Sequence, residues 1–187
     1  MLSAIFHTEV GFNLQSDVPA NEICAGSELR ATNFHMHGMI GRTPYVLTEE
    51  DSKWIESHFA IAKNLLEEER FQTSVHCLAS YRWHTMPRIR LAVLWAGIEG
   101  MFGASSEIRF RISVYIARFL YPQDEIKRRE IFEMVKKLYD SRSAAVHGGK
   151  VKGDIKKSVE KSAELLCQLI LRCIEQGSMP RENDLVP

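Results

Sequence analysis

A chain of 187 residues is long enough for one domain with a full core, and two compact domains would each be small. Hydrophobic residues make up 45% and charged residues 26%, an ordinary balance, and 24 basic side chains cancel 24 acidic ones, so net charge selects no partner. No apolar run approaches the ~20 residues of a membrane span. "MLSAIFHTEVGF" has neither the basic region nor the apolar stretch of a signal peptide. The four cysteines (Cys24, Cys77, Cys167, Cys173) show no CxxC spacing. The expectation is a cytoplasmic protein with reduced, buried thiols and no membrane contact.

Residues 1–46 read as an N-terminal arm. "AIFHTEVGFNL" and "GRTPYVL" are short mixed apolar runs suited to a strand or two, with the turn-forming "QSDVPANE" between them. From residue 47 to 177 the pattern is helical. "TEEDSKWIESHFAIAKNLLEEER" opens on Thr48 as an N-cap with acids in the first turn, and Trp54, Ile55, Phe59, Ala62, Leu65 and Leu66 fall at helical spacing. A second helix is expected over about Phe71 to His84. Pro87 then suits the first turn of a third, "RIRLAVLWAGIEGMF", which is apolar nearly all round and therefore central.

"EIRFRISVYIARFL" fits either period. Ile108, Phe110, Ile112, Val114 and Ile116 alternate as in a strand, whereas Ile108, Ile112, Tyr115 and Phe119 recur as in a helix. With helices on both sides and no partner strand, it is assigned as helix. Another helix runs from about Asp124 into "LYDSRSAAVHGGKVKG". A last one, "DIKKSVEKSAELLCQLILRCIEQ", closes at Gly177, and residues 178–187 are expected to be a loose tail. The fold class is an all-α, up-and-down helical bundle with a short arm.

The chemistry concentrates near residue 142. Arg142 and His147 stand at the foot of a helix that Gly148 and Gly149 stop. The Arg-x4-His spacing also occurs at Arg30 and His35, so spacing alone does not choose between the pairs; the second lies in the irregular arm. Five positions turn a regular helix by about 500°, which sets Arg142 and His147 about 140° apart. They converge if the helix ends near His147, if the Arg curls round, or if a second copy supplies the partner. Equally, Arg142 reads as a surface salt-bridge residue and His147 as an ordinary C-terminal cap, since cations near a helix C-terminus are favoured by the dipole.

"LYDSRSAAVHGG", preceded by "RIRLAVLWAGIEGMFG" and "EIRFRISVYIARFL", resembles the HEPN domain superfamily, specifically its Apea-like branch, over about Phe71 to Gln176. The resemblance implies an all-α, commonly dimeric protein. It also implies a metal-independent endoribonuclease without a cofactor, in stress or phage defence, with Arg142 and His147 catalytic and Ser143 in the polar position after the Arg. Many active members carry Asn or Asp where Ser143 stands, and other members bind a protein or nucleotide and cleave nothing. A His can serve as acid or base in attack by the RNA 2′-hydroxyl. A planar, permanently charged Arg suits the extra charge on phosphorus. Lys150 and Lys152 would hold the strand. The expected partners are RNA and a second copy of the chain, with room for a protein inhibitor or partner.

Glu99, in the apolar third helix, must be paired. It either orients Arg142 or forms a structural pair with Arg88, Arg111 or Arg118, and the structural role is the favoured reading. Residues 127–161 hold 11 Lys or Arg against 5 acids, which suits a phosphate backbone or simply a solvated face or an attraction to the acidic first helix. His35 and His37, near Cys24, do not complete a metal set. His76 and Cys77, adjacent in a helix, point apart and make no dyad.

Overall fold

The structure is a computed structural model, and it describes residues 14–31, 46–103, 107–181 and 185. In the arm, β1 (Leu14–Ser16) pairs antiparallel with β2 (Leu29–Ala31), Leu14 opposite Ala31. The strands expected within "AIFHTEVGFNL" and "GRTPYVL" lie almost wholly outside the described residues, as do His35 and His37. Between β1 and β2, Cys24 is exposed rather than buried; its turn is closed by the Ser27 hydroxyl, which accepts from the Cys24 N–H at 3.0 Å.

Among the described residues six α-helices follow: α1 (Glu49–Leu65), α2 (Glu69–Ser80), α3 (Pro87–Phe102), α4 (Ile108–Leu120), α5 (Glu125–Val146) and α6 (Ile155–Gln176). The all-α bundle is therefore the fold. Thr48 caps α1 in a reciprocal box with Asp51. The helix ends at Leu65, before "LEEER", and of its expected apolar stripe Phe59 and Leu66 are left exposed. After α2 the chain tightens into a 3-10 turn, Tyr81–Trp83, before Pro87 starts α3.

Helix α3 sits at the centre, packed against α2, α4, α5 and α6, with Leu91, Leu94, Trp95, Ile98 and Met101 fully buried. Gly97 permits this closeness: a β-carbon there would lie 3.0 Å from Cys77 Cβ and 3.2 Å from Leu166 Cδ2. Ser74 Oγ from α2 donates to the Gly97 carbonyl at 3.0 Å, and Trp95 Nε1 donates to Ser162 Oγ of α6 at 3.0 Å. These bonds satisfy polar groups inside an apolar core.

In α4 the helical period wins. Ile112, Tyr115, Ile116 and Phe119 are buried, while Phe110, which alternation would place with them, is 57% exposed. The tail is less loose than its composition suggests. Met179 and Leu185 are buried, and Arg118 Nη1 donates to the Leu185 carbonyl at 3.2 Å. No helix among the described residues is long and apolar enough to cross a membrane.

Candidate functional site

Helix α5 begins at Asp124, whose carboxylate accepts from the Lys127 N–H at 2.9 Å, and runs 22 residues to Val146. It stops at His147, whose N–H donates to the Ser143 carbonyl at 3.0 Å. Gly148 then turns at φ +74°, a region that side chains rarely enter. The imidazole-bearing residue is thus the C-cap, exposed to solvent, as a helix ending near His147 requires.

Arg88, in the first turn of α3, secures this end. Its guanidinium donates to the carbonyls of Ala144 (3.1 Å), Ala145 (3.2 Å) and Gly149 (2.8 Å). The last carbonyls of a helix have no partner within it, and a cation placed there also meets the negative end of the dipole. Arg88 therefore shapes the turn that carries His147. From its place in the sequence Arg88 stands out only as a candidate partner for Glu99. A cap supplied from 56 residues away has no local signature.

Arg142 points inward. Its Nη2 donates to Glu99 Oε2 at 2.8 Å, the two side chains being 20% and 22% exposed, and its guanidinium carbon lies 5.6 Å from the centre of the Tyr139 ring. The favoured structural pairing of Glu99 with Arg88, Arg111 or Arg118 gives way to Arg142, because Arg88 is engaged by backbone carbonyls and Arg118 reaches Leu185. The pair is incompletely satisfied: Glu99 Oε1 and Arg142 Nε are buried without hydrogen-bond partners among the described residues. Burial pushes the Glu99 carboxyl above its usual range, although the charge and hydrogen bond of Arg142 pull the other way.

On another side of α5 lies an open groove of ≈ 570 Å³ between α5, the 150–154 turn and the start of α6. Lys137, Lys150, Lys152, Lys157 and Lys161 line it, with Ser141 and Ser158. At 3.6 residues per turn, Arg142 points about 130° from the mean direction of the α5 residues facing the groove. The expected site residues thus divide. Lys150 and Lys152 share the groove, Arg142 joins Glu99 on the core side, and neither His147 nor Ser143 lines the groove. Lys137, Lys157 and Lys161 entered the sequence reading only as part of a charge surplus; the i, i+4 spacing of Lys157 and Lys161 was the available signal.

His76 is exposed and Cys77 buried, so they do not form a dyad. Among the described residues no group of three His, Cys, Asp or Glu is placed to hold a metal ion. Compared with family models, with curated proteins and with solved structures, the chain matches none.

Proposed function

We propose that this chain is a HEPN-type, metal-independent endoribonuclease that cleaves the RNA backbone through Arg142 and His147. The observation that carries the reading is the Glu99–Arg142 pair. The central-helix glutamate and the motif arginine, 43 residues apart, meet at 2.8 Å in a half-buried, incompletely satisfied arrangement. Such groups are uncommon in folded proteins and call for a reason beyond stability. A guanidinium held by Glu99 is oriented in advance to meet charge developing on a phosphate.

In this reading the exposed His147 imidazole takes the proton of the 2′-hydroxyl or gives one to the 5′-oxygen leaving group. The bond formed is from the 2′-oxygen to phosphorus, the bond broken is from phosphorus to the 5′-oxygen, and a 2′,3′-cyclic phosphate remains. Lys150 and Lys152 hold the strand and Ser143 lies beside Arg142. Because Arg142 turns inward and His147 outward, a second copy of the chain supplies the missing convergence across a two-fold axis. The apolar side chains of α4 are mostly spent on its own core. Met86, Ile89 and Val146, which are exposed and stand within two residues of Arg88 or Ala145 at the capped end of α5, are the surface that such a contact buries.

The second reading is a HEPN module that binds a protein or nucleotide without cleavage. It is favoured by the engagement of Arg142 with Glu99 on the side away from the lysines. One assay separates the two: purified chain, bulk RNA and EDTA, with analysis of product ends. The expected outcome is cleavage that survives chelation and leaves 2′,3′-cyclic phosphate. His147→Ala should abolish it with thermal unfolding nearly unchanged, since an exposed helix end contributes little to the core. No products from the wild-type chain, or full activity in the variant, would sink the nuclease assignment.

A further inference from the structure

We infer that the lysine groove between α5 and α6 holds a nucleic-acid phosphate backbone without reading its bases, at a surface separate from the Arg142–Glu99 pair. The inference rests on the RNA reading above for its biological strand, but its chemistry stands on the groove. Five lysines line it against two aspartates, and both aspartates are engaged. Asp140 takes a two-pronged bond from Arg109, Nε to Oδ1 and Nη2 to Oδ2, each 2.7 Å. Asp154 caps α6 by accepting from the Lys156 N–H at 2.8 Å.

The lysines themselves form no ion pair among the described residues. Of the five lysines outside the groove, three are paired among the described residues, Lys53 with Glu49, Lys127 with Asp124 and Lys136 with Glu133, while Lys63 and Lys156 are not. Like charges gathered in one concavity repel one another, and a polyanion relieves that repulsion.

The kind of anion follows from what the groove lacks. Among the described residues, no aromatic side chain and no arginine is in its lining. Bases therefore have no stacking platform, and base edges no forked donor. Ammonium groups are point charges that suit phosphates of any sequence. Lys157 and Lys161 stand one turn apart, about 6 Å along α6, with Lys137 facing them from α5. The strand would run from this groove past the Gly148–Gly149 turn, which follows His147.

The test is binding rather than cleavage, so that it is read independently of the nuclease assignment. Labelled, 2′-O-methylated RNA and DNA 20-mers of mixed sequence are titrated with the full chain by fluorescence anisotropy at several salt concentrations. Single strands lose affinity with a slope of about −0.7 in log salt per phosphate engaged. Lys157→Gln with Lys161→Gln should flatten the slope by about 1.4 and weaken binding about 20-fold at 0.1 M salt. Lys150→Gln with Lys152→Gln, on the turn, should act alike and serves if the helix variant unfolds. RNA and DNA should bind within about threefold of each other, as a phosphate contact requires. An unchanged slope in a folded double variant, a wild-type chain that binds neither strand, or a preference above tenfold for either sugar or for one base composition overturns the inference. Groove-dependent binding without cleavage would leave it intact while removing the nuclease.

Discussion

The Glu99–Arg142 pair makes a quantitative claim about stability. Removing one member of a buried ion pair costs roughly 3–5 kcal/mol because the other charge is left without a counterion. Here each side chain keeps about a fifth of its surface in contact with solvent, and Arg142 retains the Tyr139 ring. The expected cost of Arg142→Met, which leaves the Glu99 carboxylate without its counterion, is therefore nearer 2–3 kcal/mol, whereas Glu99→Gln, which resembles the protonated carboxyl that burial favours, should cost less. For a chain of this length that corresponds to a fall in Tm of about 4–12 °C. Adding Glu99→Gln to Arg142→Met should recover most of that cost by removing the stranded carboxylate, a coupling of about 2 kcal/mol in a double-mutant cycle.

The pH dependence has a definite sign. The carboxyl of Glu99 is raised above its ordinary value of 4.5 chiefly by burial. The native state then holds this proton more tightly than the unfolded chain. Its contribution is fully present below 4.5 and is lost as pH rises through the folded value. Glu99→Gln should remove that slope. Arg142→Met should move it to higher pH, since the attraction that opposes burial is gone. Urea titrations of the four proteins across the acid range measure all of this. An Arg142→Met variant that melts with the wild type, costs that simply add, or a stability that climbs with pH through this window because of Glu99 would refute the assignment of a buried, coupled pair.

Two further outcomes are expected. Arg88→Ala removes three hydrogen bonds to the end of α5 and should cost about 1.5–3 kcal/mol. Amide exchange at residues 145–149 should quicken and cleavage should fall, with Arg88→Lys restoring only part; unchanged exchange would mean that the cap does not hold the turn. In light scattering the chain should run as a dimer at micromolar concentration, and Met86→Glu with Ile89→Glu should return it to a monomer with lost cleavage. A wild-type monomer that cleaves RNA would remove the composite site.

Much of the fold was determined by sequence alone because its signals are local. Thr48 with Asp51, Pro87, Gly148 and Gly177 act within a few residues of themselves, and the all-round apolar character of α3 leaves it nowhere to lie but the centre. The period of α4 was ambiguous only until packing chose which face to bury, leaving Phe110 outside. The site was another matter. That Glu99 takes Arg142, 43 residues on, while Arg88 takes carbonyls 56 and 57 residues on, depends on where α3 and α5 cross. Several arginines were within chemical reason for one glutamate, and only tertiary packing gave two of the rivals, Arg88 and Arg118, acceptors of their own. The same crossing turned Arg142 toward the core and left Lys137, Lys157 and Lys161 to join Lys150 and Lys152 across a groove. Charge counts along a chain register such lysines, but which of them share one concavity is a property of two helices and the turn between them.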